Sequence, residues 1–95
     1  MIKGKTSTGF KFQVNKERVL NDRRFLSALR RGNSDDLTKQ LEADEDITRY
    51  LLGNDQYEEL MDHVAEPDGY VPNDRFTAEV LEIFDALNKD DDTKK

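Results

Sequence analysis

Apolar and polar positions alternate strictly in one short stretch of the chain. In GFKFQV, residues 9–14, Phe10, Phe12 and Val14 are separated by Lys11 and Gln13, the period-two pattern of a strand with one buried face. Ile2 to Thr6 supplies an antiparallel partner, with Ser7, Thr8 and Gly9 as the turn. A lone hairpin is marginal in water, so it is expected to lie against helices or to pair with another chain.

From Asn21 onward the period is helical. Asn21 or Asp22 can cap a helix whose residues Phe25, Leu26 and Leu29 share a face, and Gly32 stops it. Arg23, Arg24, Arg30 and Arg31 fall on the opposite side. Ser34, Asp35 and Asp36 offer a second helix start, leading to Leu37 and Leu41 and, past the acidic run EADED, to Ile47, Leu51 and Leu52. The pattern leaves open whether this is one bent helix or two. Gly53 closes it and Asn54 opens the next, where Tyr57, Leu60, Met61 and Val64 follow the i, i+3, i+4, i+7 spacing. Pro67, Asp68 and Gly69 make a turn, Tyr70 and Val71 are expected to be extended and buried, and a last helix starts after Pro72 with Asn73 or Asp74 as its cap. It carries a narrow apolar stripe of Phe76, Val80, Ile83, Phe84 and Leu87. The elements predict an α+β fold, mostly α: a small N-terminal β-hairpin followed by a bundle of about four helices. One domain spans residues 1–88, and residues 89–95, KDDDTKK, form a disordered charged tail.

A chain of 95 residues supports a modest core and leaves little room for an enclosed active site. Without cysteine there is neither a disulfide framework nor a thiolate metal site. No apolar run approaches the roughly 18 residues that span a bilayer, and MIKGKTSTG lacks the apolar core of a signal peptide, so a cytoplasmic protein is expected. The net charge of −6 hides an asymmetry. Residues 1–40 carry ten Lys and Arg against four Asp and Glu, and residues 41–95 carry five against seventeen, giving +6 and −12. Opposite halves favour docking of the N-terminal part on the C-terminal helices, or self-association head to tail.

Candidate chemistry is sparse. With Gly69 as the sixth residue of a calcium loop, Val64 would stand first and Arg75 twelfth, where oxygen ligands belong. His63 has acidic neighbours, Glu59 and Asp62, but no set of converging ligands and no nucleophile motif. No phosphate loop is present, so neither catalysis nor a metal or cofactor is expected. What remains are contact surfaces. Leu81 lies about 60° beyond Phe84, and Tyr50 lies off the face of Leu37, Leu41 and Leu51. Together with Phe76, Val80, Phe84 and Leu87 they are the candidates for partner binding. The arginines Arg23, Arg24, Arg30 and Arg31 are a candidate charged docking face, and the alternative reading is a small nucleic-acid-binding regulator that uses them. The acidic total and the lack of a second basic element count against it.

The order of segments resembles a family, the small tail assembly chaperones of long-tailed bacteriophages and prophages. The resemblance rests on GKTSTGFKFQV at 4–14, VLNDRRFLSAL at 19–29, LLGNDQYEELMDHV at 51–64, and DGYVP followed by the helix ending EIFDAL at 82–87. The acidic stretch EADED departs from the family's pattern. The resemblance implies a mostly helical protein with a small β element, present in the cytoplasm of the bacterial host and absent from the finished virion. It also implies a non-catalytic role: coating the long apolar tape-measure protein and keeping it soluble until the tail tube polymerises around it.

Overall fold

The computed structural model describes the backbone of residues 1–93 and the side chains of residues 1–89. Two antiparallel strands, β1 (Ile2–Lys5) and β2 (Lys11–Val14), pair with Ile2 opposite Val14 and Lys5 opposite Lys11. Helices α1 (Lys16–Leu20), α2 (Arg23–Arg31), α3 (Leu37–Val64) and α4 (Asn73–Thr93) follow. The architecture is α+β and mostly α, as the periodicity indicates.

The hairpin closes through Gly9, whose φ of 98° is open to glycine at low cost; its N–H donates to the Thr6 carbonyl at 3.0 Å. Phe10, Phe12 and Val14 are buried, and Gly4 makes room for Phe12, since a Cβ there would lie 2.7 Å from the end of the ring. The outer edge of β2 is capped. Gln56 accepts from the Gln13 N–H at 2.8 Å and donates to the Gln13 carbonyl at 2.9 Å, so one side-chain amide stands in for a neighbouring strand. The outward face bears Lys3, Lys5 and Lys11, charges that discourage pairing with another sheet.

Helix starts follow their capping residues. Asn15, Asp22 and Asp36 accept from the N–H groups of Arg18, Arg24 and Thr38, respectively. Helix α1 is an element the periodicity did not indicate, because only Val19 of its five residues is buried and one buried position carries no period. Residues 37–52 form a single helical arm that runs straight through the acidic run. At Gly53, φ 82° and ψ 161° break the helix, and a second arm continues to Val64. That backbone region is essentially restricted to glycine.

Two expectations about burial are corrected. Leu37 and Leu41 are 66% and 54% exposed, and this arm buries Ala43 and Thr48 in their place. Tyr70 is 61% exposed. The turn around Pro67 and Asp68 closes with the Glu66 N–H donating to the Tyr70 carbonyl at 2.7 Å, and it is Pro72 that turns inward. Helix α4 extends to Thr93, so residues 89–93 of the expected tail have helical backbone, and residues 94–95 lie outside the described residues. The core joins Phe12 and Val14 of the hairpin, Phe25 of α2, Leu51 and Leu60 of α3, and Ile83 of α4. Among the described residues, no helix is long and apolar enough to cross a membrane.

Candidate functional site

Helix α4 presents three faces. Ile83 and Leu87 point into the core at 0% and 4% exposure, with Val80 beside them at 8%. Glu79 and Glu82 face the hairpin turn. Phe76, Phe84 and Leu81 border the space between α4 and α3, an open groove of about 490 Å³. Its opposite wall is Leu41 and Ile47, with Leu29 of α2 and Met61 and Val71 at its margins.

The groove is apolar but not uncharged. Asp44 and Glu45 stand on its α3 wall, and no Lys or Arg lines it. Glu45 is engaged by Arg49 at 3.4 Å and by the Tyr57 hydroxyl at 3.4 Å. Tyr57 lies on the second arm of α3, so this contact ties the two arms together across the Gly53 break. Its ring also meets Phe76 edge-on at 5.7 Å and lies under the Arg49 guanidinium at 4.2 Å. Burial, and next the Glu45 carboxylate, push the Tyr57 phenol above its ordinary value of 10.0. Leu41 and Leu81 remain more than half exposed on opposite sides of the opening.

Of the residues expected to bind a partner, Phe76, Val80, Leu81 and Phe84 come together on this groove. Leu87 belongs to the core. Tyr50 borders a different depression, near Asn15 and Arg24, and its ring lies 4.8 Å beneath the Arg24 guanidinium. Sequence reasoning did not assign Leu29, Leu41, Met61 and Val71 to the groove; the mismatch between their apolar character and a packed stripe appears only once α3 and α4 are placed side by side.

The arginine face is divided. Arg24 is held by Asp22 at 2.9 Å, a contact that lowers the Asp22 carboxyl and raises the guanidinium relative to their usual values. Arg31 reaches Asp46 at 3.0 Å and joins the basic half of the chain to the acidic half. Arg23 and Arg30 are exposed and make no ion pair among the described residues.

A second polar cluster was not foreseen. Thr6 and Thr8 donate to the Glu79 carboxylate at 2.7 and 2.9 Å, and Glu79 is only 2% exposed. Ser7 donates to Glu82 through both its N–H and its hydroxyl, each at 2.8 Å. The Nε2 of His63 lies 2.9 Å from the Thr8 oxygen and 3.9 Å from Glu79, so an Nε2–H donating to Thr8 completes the chain of bonds. Each hydroxyl here is directed at a carboxylate, which makes the cluster a latch fastening the hairpin turn to α4. Among the described residues, no group of three or more metal-ligating side chains converges. No family model matches this chain, nor does any curated protein or solved structure.

Proposed function

We propose that this chain is a non-catalytic tail assembly chaperone of a bacteriophage or prophage, which binds the tape-measure protein in the host cytoplasm, keeps it soluble during tail assembly and is left out of the virion. The observation that carries the reading is the groove between α3 and α4. It offers apolar contact area open to a chain of another protein, with Leu81 62% exposed at its lip, on a molecule whose remaining surface is strongly charged. The hydroxyl and carboxylate groups that converge elsewhere are engaged with one another in the hairpin latch. The resemblance of segment order, from the GKTSTGFKFQV hairpin to the EIFDAL helix, supplies the class of client. A nucleic-acid role has less support, because Arg24 and Arg31 are engaged by Asp22 and Asp46.

Co-expression with a bacteriophage tape-measure protein, taken from a neighbouring gene where one encodes it, tests the proposal. The client should move from the pellet to the soluble fraction and co-purify with the chain. A client equally insoluble with and without the chain removes the reading.

A further inference from the structure

The geometry points to a specific kind of occupant for the α3–α4 groove: a single amphipathic helix of the partner whose apolar stripe is flanked by lysine or arginine. The inference rests on the chaperone reading only for the identity of the client; the recognition chemistry follows from the groove itself.

Three observations carry it. The α4 wall from Phe76 to Leu81 and Phe84 spans eight residue steps, about 12 Å at the helical rise, or a little over two turns. That length suits a helix bound through anchors at i, i+3, i+4 and i+7. The two walls carry their most exposed apolar side chains, Leu41 and Leu81, on opposite sides, so an inserted helix would be gripped from both. The uncompensated charge on the walls is negative. Glu45 is paired with Arg49 at 3.4 Å, whereas Asp44 lines the groove and has no ion pair among the described residues. A helix with acidic flanks would meet repulsion there, and one with basic flanks would find partners. Asp44 therefore sets the sign of the partner's flanks, and the groove's leucines set the spacing of the partner's anchors.

The test uses two labelled peptides of about 18 residues, long enough to be helical when bound. Both carry Leu at the helical spacing, and the remaining positions are Lys in one and Glu in the other. Fluorescence anisotropy with the full chain should show the Leu/Lys peptide binding at least about tenfold more tightly than the Leu/Glu peptide. Leu81→Asp, with unchanged circular dichroism, should weaken the Leu/Lys peptide about tenfold, and Leu41→Asp on the other wall should do the same. Asp44→Lys should shrink the preference for basic flanks, whereas Asp55→Lys, an equal change of charge at an exposed site off the groove, should leave it in place.

Equal binding of both peptides overturns the inference, as does binding that neither leucine substitution changes. So does sedimentation showing a wild-type dimer that Leu81→Asp converts to monomer, because a second copy would then fill the groove. Binding of a labelled single-stranded oligonucleotide to the chain that Leu81→Asp abolishes would equally overturn it. The client experiment separates this inference from the chaperone reading. If the wild-type chain and both leucine variants solubilise the client equally, the groove assignment fails and the chaperone reading stands. If the peptides behave as expected but the client stays insoluble, the reverse holds.

Discussion

Replacing Thr6 by valine keeps the shape of the side chain and removes one oxygen, yet that oxygen has two buried partners. It donates to Glu79 at 2.7 Å and accepts from the Phe10 N–H at 3.1 Å. A hydrogen bond to a charged group contributes about 1.5–3 kcal/mol, and an orphaned buried N–H costs about 1–3 kcal/mol. Glu79 retains Thr8, so the two losses overlap, and Thr6→Val is expected to destabilise the fold by about 2–4 kcal/mol. For a domain of this size that lowers the melting temperature by about 10 °C or more. Thr8→Val, whose bond is only partly buried, should cost less, and Ser7→Ala, at the exposed Glu82 contact, least. Urea unfolding followed at 222 nm measures all three. The Thr6→Val, Glu79→Met pair should lose less than the sum of its single changes, because the second substitution removes the carboxylate the first leaves short of a donor. A Thr6→Val cost below about 1 kcal/mol, or equal costs for Thr6→Val and Ser7→Ala, would refute the latch as a source of stability.

Gly53→Ala meets no neighbouring atom within 4 Å of the added Cβ, so its expected cost of about 1–3 kcal/mol in a urea titration comes from backbone conformation alone. Tyr57 should make stability fall in alkali. Its folded pKa lies above the unfolded value, so its contribution is complete below pH 10.0 and declines as pH rises through the folded value, where the unfolded chain has already released its proton. Tyr57→Phe should flatten that part of the curve, checked by denaturant melts between about pH 9 and pH 11. Gln56→Ala should speed hydrogen exchange of the Gln13 amide while costing only about 1 kcal/mol globally, because the bonds to Gln13 are exposed. Unchanged exchange at Gln13 would show that the edge is covered some other way.

The hairpin, the break at Gly53 and the turn at Pro67 were legible because each is governed by residues adjacent in the chain: alternation in β2, a glycine at a backbone angle that excludes side chains, and proline before Asp-Gly. The core face of α4 was legible for a related reason, since Ile83 and Leu87 repeat at helical spacing. What escaped was long-range. A glutamate next to a core residue reads as solvated, and nothing local marks Glu79 for burial, because the hydroxyls that satisfy it are more than 70 residues away. Leu41 reads as core by period, yet it lies on the wall of the open groove between α3 and α4, a placement set by residues far along the chain. Tyr50, read from the sequence as a candidate partner contact off the face of Leu37, Leu41 and Leu51, is covered by an arginine from another helix, as the ring's flat surface allows.

The latch and the groove belong to the same helix, and that determines what each can do. At about 100° per residue, Glu79 and Glu82 lie on one side of the core-facing row and Phe84 and Leu81 on the other. A bond network that holds Glu79 against the hairpin therefore fixes the rotation of α4 about its own axis, and with it the direction in which Leu81 points. Apolar packing of Ile83 and Leu87 is strong but weakly directional, and would tolerate a small roll of the helix. Two hydroxyl bonds to one buried carboxylate tolerate much less. Polar contacts on one face of α4 thus orient an apolar surface on another, so Leu81 can stay exposed at the lip of the groove while the stabilising contacts lie elsewhere on the helix.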